Sequence, residues 1–317
     1  MCWALVLIGA CGCGATAKAD APQEQASPSP PVVVGYLPDY RIAGVDAETY
    51  DLGPVTDLIY FGLTVPAEGT LPIDAVPAEH LARLARLKER FGCRVLLCLG
   101  GWERSRDFAQ VAADPDRRAA LIASLVVLCQ SHGFDGVDYD WEHPSGEVQR
   151  ADYARLIEQT AAGFAEHRLL VTVAQAGWQD LGPSAYAAAD RIHLMCYDHA
   201  YPHATLEHAR DEVARLVGWG CPPGKIALGI PFYGRNAERA ARSYAQLVEG
   251  QTPAPETDEL AGYAFNGPDT VTAKMQLALE HGLAGVMVWE LALDAPGDAS
   301  LLKVIAQALA EQDEPSE

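Results

Sequence analysis

The sequence predicts an α/β protein, a (β/α)8 TIM barrel, and three observations carry that expectation. Eight short apolar runs alternate with amphipathic stretches from Val32 onward. Most of the runs are continuous enough to be buried on both faces, as parallel strands covered by helices must be. Strand–helix alternation of this kind implies right-handed crossovers, and eight strands in about 280 residues favour a closed barrel over an open sheet.

Taken in order, Val32–Tyr36 and Asp57–Gly62 are the first two strands. Ala78–Phe91 follows as a helix, with Leu81, Leu84 and Leu87 at three-residue spacing and Gly92 as its stop. Arg94–Leu99 is the third strand. Asp114-Pro-Asp-Arg then supplies a capping side chain and a first-turn proline to a helix running through Leu121, Leu125 and Leu128 to Gly133. Gly136–Asp140, Leu169–Ala174, Arg191–Cys196 and Lys225–Ile230 are the next four strands, with helices over Gln149–His167 and Thr205–Val217. Gly285–Trp289 closes the set, between helices over Pro268–His281 and Ala299–Gln312.

Of the 317 residues, 49% are hydrophobic and 21% charged, an ordinary globular balance. The formal net charge of −20 repels phosphate backbones and excludes nucleic acid as a partner. Residues 1–13 are apolar and end in small residues, like a signal-peptide core too short to span a bilayer. Ile8-Gly9-Ala10-Cys11 looks like a bacterial lipobox, with Cys11 as the lipid anchor point, so the chain is expected to be exported, as an envelope lipoprotein or a secreted protein. Residues 14–31 read as a solvated Pro/Ser/Ala-rich tether, 32–311 as the barrel and 312–317 as an acidic tail. Beyond the leader, Cys93, Cys98, Cys129, Cys196 and Cys221 are odd in number and sit mostly in apolar runs, which reads as buried small hydrophobes without a disulfide framework.

Barrel active sites lie at the carboxyl ends of the strands. On the fourth strand, Asp138, Asp140 and Glu142 alternate and share the interior face, while Val137, Tyr139 and Trp141 face the helices. Asp135 has the opposite parity and reads as a structural residue at the start of the strand. Three inward carboxyl groups repel one another, so one pKa should rise. On the outermost, Glu142, that makes a general acid near neutrality. A hydrogen-bonded carboxylate network or a metal site is the alternative reading of the same pattern. His143, His199 and His203 come without an HExxH, and there is no GxSxG, P-loop or dinucleotide fingerprint, so neither a metal nor a cofactor is expected.

Phe134-Asp-Gly-Val-Asp-Tyr-Asp-Trp-Glu142 resembles the DxxDxDxE signature of glycoside hydrolase family 18, the chitinase family. Val34-Gly-Tyr36, Leu97-Cys98-Leu-Gly100-Gly101-Trp102, Met195-Cys-Tyr197-Asp198, Gly229-Ile-Pro-Phe-Tyr233-Gly-Arg235 and Gly285-Val-Met-Val-Trp289 resemble its other strand motifs, in barrel order. The resemblance implies hydrolysis of β-1,4 bonds next to N-acetylglucosamine with retention, the substrate's own acetamide acting as nucleophile. It implies Glu142 as proton donor, Asp140 as the group that orients the acetamide, Asp138 as its proton-sharing support, and Tyr197 as donor to the acetamide oxygen. Asp198 and Met195 would contact the sugar, Trp289 would floor the site, and Tyr36, Trp102, Tyr233 and Arg235 would line the groove. Gly100, Gly101 and Cys98 would support it, with Cys98 standing where the family has a serine, a weaker donor beneath Asp138. Residues 234–283 have room for helical segments around Ala237–Val248 and Pro268–His281 but for no large inserted domain, which implies a shallow, open cleft. The partner is then a polysaccharide or oligosaccharide containing N-acetylglucosamine, bound by a monomer. Two rival readings are an endo-β-N-acetylglucosaminidase acting on N-glycans or peptidoglycan and a non-catalytic lectin.

Overall fold

A computed structural model describes residues 30–312 together with Met1; the rest of the leader with Cys11, most of the tether and the tail from 313 lie outside the described residues. The elements run β1 (Val32–Pro38), α1 (Asp39–Ile42), β2 (Asp57–Leu63), α2 (Ala78–Phe91), β3 (Arg94–Gly100), α3 (Phe108–Ala113) and α4 (Pro115–His132). They continue with β4 (Gly136–Asp140), α5 (Gly146–Phe164), β5 (Leu170–Ala176), α6 (Pro183–Ala188), β6 (Arg191–Met195), α7 (Leu206–Gly218) and β7 (Ile226–Pro231). Four short strands follow, β8 (Tyr233–Arg235), β9 (Ala241–Ser243), β10 (Glu259–Leu260) and β11 (Tyr263–Ala264), with α8 (Tyr244–Val248) between β9 and β10. The chain ends on α9 (Pro268–Glu280), β12 (Gly285–Trp289) and α10 (Leu301–Ala310).

The eight long strands close in the order β1-β12-β7-β6-β5-β4-β3-β2, every pair parallel. Strand parity divides the core in two. Val137, Tyr139 and Trp141 pack outward with the helices, and Phe108 stacks on Trp141 at 5.4 Å. Val34, Tyr36, Ile59, Phe61, Leu96, Cys98, Ala227 and Met287 fill the barrel interior, a packed plug rather than a pore. All five cysteines beyond the leader are free and buried, as small core residues.

Local chemistry sets the ends of the helices. The Asp114 side chain accepts from the Asp116 and Arg117 amides to cap α4, and Gly92 and Gly133 end α2 and α4 in the left-handed region. Asp135 lies at the amino end of β4, where Oδ2 accepts from Lys88 Nζ at 2.6 Å and from the Val95 amide at 2.7 Å. It ties α2 to β3 on the face remote from the strand ends. On that face Asp57 is wholly buried between Arg94 (2.6 Å) and Arg191 (2.8 Å).

One expectation is corrected. Residues 234–283 are not helical alone: β8 to β11 form a four-stranded antiparallel sheet in the order β10-β11-β8-β9, and the helix expected over Ala237–Val248 is only Tyr244–Val248. Ser243 starts that helix with a capping box to Gln246, which leaves Ala241–Ser243 extended and free to pair with β8. Among the described residues no helix is long and apolar enough to cross a membrane.

Candidate active site

The three carboxyl groups on and after β4 are graded by depth: Asp138 is 0% and Asp140 3% exposed, and the Glu142 side chain is 16% exposed. A carboxylate at the depth of Asp138 needs donors. It has them: Tyr36 Oη donates to Oδ2 at 2.7 Å, Thr172 Oγ1 donates to Oδ1 at 2.6 Å, and His193 Nδ1 lies 3.1 Å from Oδ1. Burial pushes the Asp138 carboxyl up, but His193, Thr172 and Tyr36 outweigh it and hold its pKa below the usual carboxylate range.

Asp140 has no such escort. Its Oδ1 is buried without a hydrogen-bond partner among the described residues. Burial first, then the charges of Glu142 and Asp138, push its pKa well above the ordinary value. Glu142 is pushed up to about 7, by burial and then by Asp198, against a hydrogen bond from the Trp102 backbone amide. Mutual repulsion alone suggested one raised group; two rise, and burial is the larger cause for both.

The turn after β3 sets this geometry. Gly100 and Gly101 have φ near +102° and +100°, and a Cβ would lie 2.3 Å from the Asp140 carbonyl oxygen at Gly100 and 2.2 Å from the Phe61 ring at Gly101. That close approach lets the Gly101 amide donate to the Asp140 carbonyl at 2.6 Å. Ser105 closes the turn: its hydroxyl, 3.0 Å from the Gly101 carbonyl and 3.1 Å from the Asp140 carbonyl, shares its one proton between them and accepts from the Glu142 amide at 3.0 Å. His143 Nε2 lies 3.4 Å from Glu142 Oε2. A cavity of about 340 Å³ opens beside Glu142, lined in part by Ser105, Trp141 and His143. A larger one of about 650 Å³ lies on the outer helical ring between α4 and α5, away from these groups.

The end of β6 supplies a second cluster. The Tyr197 hydroxyl has the Met287 sulfur, 3.8 Å away, as its hydrogen-bond partner, and burial and nearby anions keep it a neutral phenol. Asp198 accepts from Tyr233 Oη at 2.8 Å and pairs with Arg235 through Nε and through Nη2 at 2.7 Å. Burial pushes the Asp198 carboxyl up, but His203 and Arg235 overcome this and hold it well below the carboxylate range. Met195 packs against the barrel interior. Trp289 caps that interior, 4.9 Å from the Phe61 ring and 5.5 Å from the Tyr36 ring.

Three residues expected along the groove are engaged with aspartates. Tyr36 is 1% exposed, because its hydroxyl is drawn down to Asp138 and His193. Tyr233 and Arg235 are committed to bracing Asp198. Trp102 does lie at the surface, 70% exposed. Cys98 is in register with Asp138 but wholly buried, its thiol pushed far up by burial and then by Asp138 and Asp140, while Asp138 takes its hydrogen bonds from Tyr36 and Thr172. His193 and Ser105 were missed. His193 shares parity with Met195 and Tyr197 and was legible in principle; Ser105 lies in a turn with no periodic signal.

The Asp198 anion disfavours ionisation of Glu142, so Asp198→Asn is expected to lower the Glu142 pKa. If Glu142 works as an acid, the alkaline limb of a kcat/KM profile then moves to lower pH than the wild-type limb near pH 7. A profile on a fluorogenic chitotrioside checks this; an unmoved limb would contradict the coupling.

Residues 32–294 match the model of the family described as glycosyl hydrolases family 18. The chain is 25% identical over 362 residues to Chitinase 1 of Aphanocladium album, covering 88% of this chain and 85% of that one. Other curated relatives are longer, and the chain spans less than two thirds of them. A chitinase structure from Bacteroides thetaiotaomicron superposes with a TM-score of 0.79 at 23% identity, covering 91% of this chain and 99% of that one. A mutant family 18 chitinase from Cycas revoluta in complex with (GlcNAc)4 gives a TM-score of 0.75 at 22% identity, with 87% and 99% covered.

Proposed function

The chain belongs to glycosyl hydrolases family 18, and on that premise we propose that it cleaves β-1,4 bonds next to N-acetylglucosamine in chitin-type oligosaccharides. The observation that carries the reading is the depth-graded trio Asp138, Asp140 and Glu142 at the carboxyl end of β4, with Glu142 beside an open cavity and poised near neutrality. Family 18 catalysis is retaining and substrate-assisted, an exception to the scheme with a carboxylate nucleophile. Glu142 donates its proton to the leaving glycosidic oxygen as the acetamido oxygen attacks the anomeric carbon, which gives an oxazolinium ion. Glu142, now a base, then activates the water that opens it. Asp140 orients the acetamide through its unpartnered Oδ1 and, together with Asp138, the anion beneath it with which it shares a proton, supports the developing positive charge. Tyr197 donates its weakly engaged hydroxyl to the acetamide oxygen, and Trp289 offers a flat apolar floor to the sugar. Asp198, held by Arg235 and Tyr233, contacts the sugar and keeps Glu142 protonated. Trp102 and Met195 complete the sugar contacts at the rim and inner wall.

Purified protein offered chitin oligomers, N-glycans and peptidoglycan fragments is expected to cut the chitin oligomers. Cleavage of N-glycans or peptidoglycan alone would move the assignment to an endo-β-N-acetylglucosaminidase, and binding without cleavage to a lectin. The protein acts as an exported monomer, the barrel of residues 32–311 following the leader and tether. The mass of its mature amino terminus separates acylation at Cys11 from simple secretion.

A further inference from the structure

The floor beneath the carboxyl trio holds a group that the reaction scheme leaves unused. His193, on β6, is wholly buried inside the barrel. Its Nδ1 lies 3.1 Å from Asp138 Oδ1 and 2.8 Å from Tyr36 Oη. An ionised carboxylate oxygen only accepts, so Tyr36 gives its single proton to Asp138 Oδ2, 2.7 Å away, and Nδ1 must carry a hydrogen shared between Asp138 and the Tyr36 oxygen. Its Nε2 is buried with no hydrogen-bond partner among the described residues, so the ring has no second polar contact there. With the Thr172 hydroxyl, 2.6 Å from Oδ1, these donors surround Asp138, whereas Asp140 Oδ1 has no hydrogen-bond partner among the described residues.

We propose that His193 is a positioning residue for the acid pair: by donating to Asp138 and Tyr36 together it keeps Asp138 the anion, so that the proton of the pair resides on Asp140. The inference rests on reading Asp140 and Glu142 as the reacting carboxyl groups. The titratable groups it touches are Tyr36 from β1 and Asp138 from β4, and Cys98 from β3 and Asp140 from β4 act on Tyr36 in turn; β7 and β12 bring Ala227 and Met287 to the interior. Arg191, two residues earlier on β6, is taken up by Asp57. Cys98 is a weak donor, so His193 supplies what a hydroxyl at that position would give.

The test compares wild type with His193→Leu, which removes the donor, and His193→Asn, which keeps an N–H. The acid limb of the kcat/KM profile on a fluorogenic chitotrioside is expected to rise by about one pH unit in His193→Leu. kcat falls, KM stays within about twofold, and His193→Asn recovers part of both effects. A lower kcat with an unmoved acid limb would mean a merely structural role and overturn the proposal. Carboxyl-carbon NMR of Asp138, in wild type and in both variants, reads the same ionisation without turnover. A raised Asp138 titration supports the proposal even if no chitin oligomer is cut, in which case the functional reading alone fails; an unchanged titration overturns it whatever the activity. Should His193→Leu not fold, His193→Asn carries the NMR comparison, with a smaller upward shift as the supporting result and none as the opposing one.

Discussion

Glu142→Gln is expected to lower kcat on chitotetraose by about 10²- to 10⁴-fold while the oligosaccharide still binds within a few-fold of wild type. The amide keeps the size of the carboxyl but cannot protonate the leaving oxygen. Its backbone position, held by the Ser105 hydroxyl at 3.0 Å, does not depend on the side chain. The binding contacts assigned to Trp289, Asp198 and Tyr197 belong to other strands, so affinity and turnover should separate. Single-turnover kinetics and calorimetric titration of the same preparation check the split. Turnover at wild-type levels would remove Glu142 from the role of acid. Loss of binding with turnover would point to collapse of the turn after β3 instead.

Asp57→Ala is expected to destabilise the barrel by about 3–5 kcal/mol, because it leaves a buried guanidinium without its carboxylate. Asp57 accepts from Arg94, Arg191 and the Thr56 hydroxyl and is wholly buried. The Arg191 side chain is only 9% exposed, so water cannot replace the lost partner well. Arg94 is 40% exposed and can turn outward, so most of the penalty falls on Arg191. Urea unfolding measures the loss, and because this cluster sits at the opposite end of the barrel from Glu142, kcat of the folded fraction should stay near wild type. A change under about 1 kcal/mol would show that Arg191 finds another partner.

Most of the barrel was legible because long parallel strands leave a period and a composition. The alternation across Asp138, Asp140 and Glu142 placed the trio on the interior face, and the outward packing of Val137 and Tyr139 follows from the same parity. The sheet made by Tyr233–Arg235, Ala241–Ser243, Glu259–Leu260 and Tyr263–Ala264 was not legible, since strands of two or three residues carry no period. Within the site, what could be read was which residues point inward. What could not was how far in their polar atoms reach. Tyr36 and Tyr233 were expected along the groove because the family resemblance implied it. Each instead spends its hydroxyl on an aspartate, Asp138 in one case and Asp198 in the other. The concern over Cys98 assumed that one donor decided the state of Asp138. Three others reach it from β1, β5 and β6, and such long-range convergence is invisible to local patterning.

The central claim is that the substrate's acetamide attacks the anomeric carbon and Glu142 serves first as acid and then as base. The most direct measurement is proton NMR of the anomeric signals during the first minutes of chitin-oligomer hydrolysis, before mutarotation mixes them. Substrate assistance retains configuration, so the β-anomer at the new reducing end should appear first and decay toward equilibrium. Initial appearance of the α-anomer would mean direct attack by water and would contradict the mechanism.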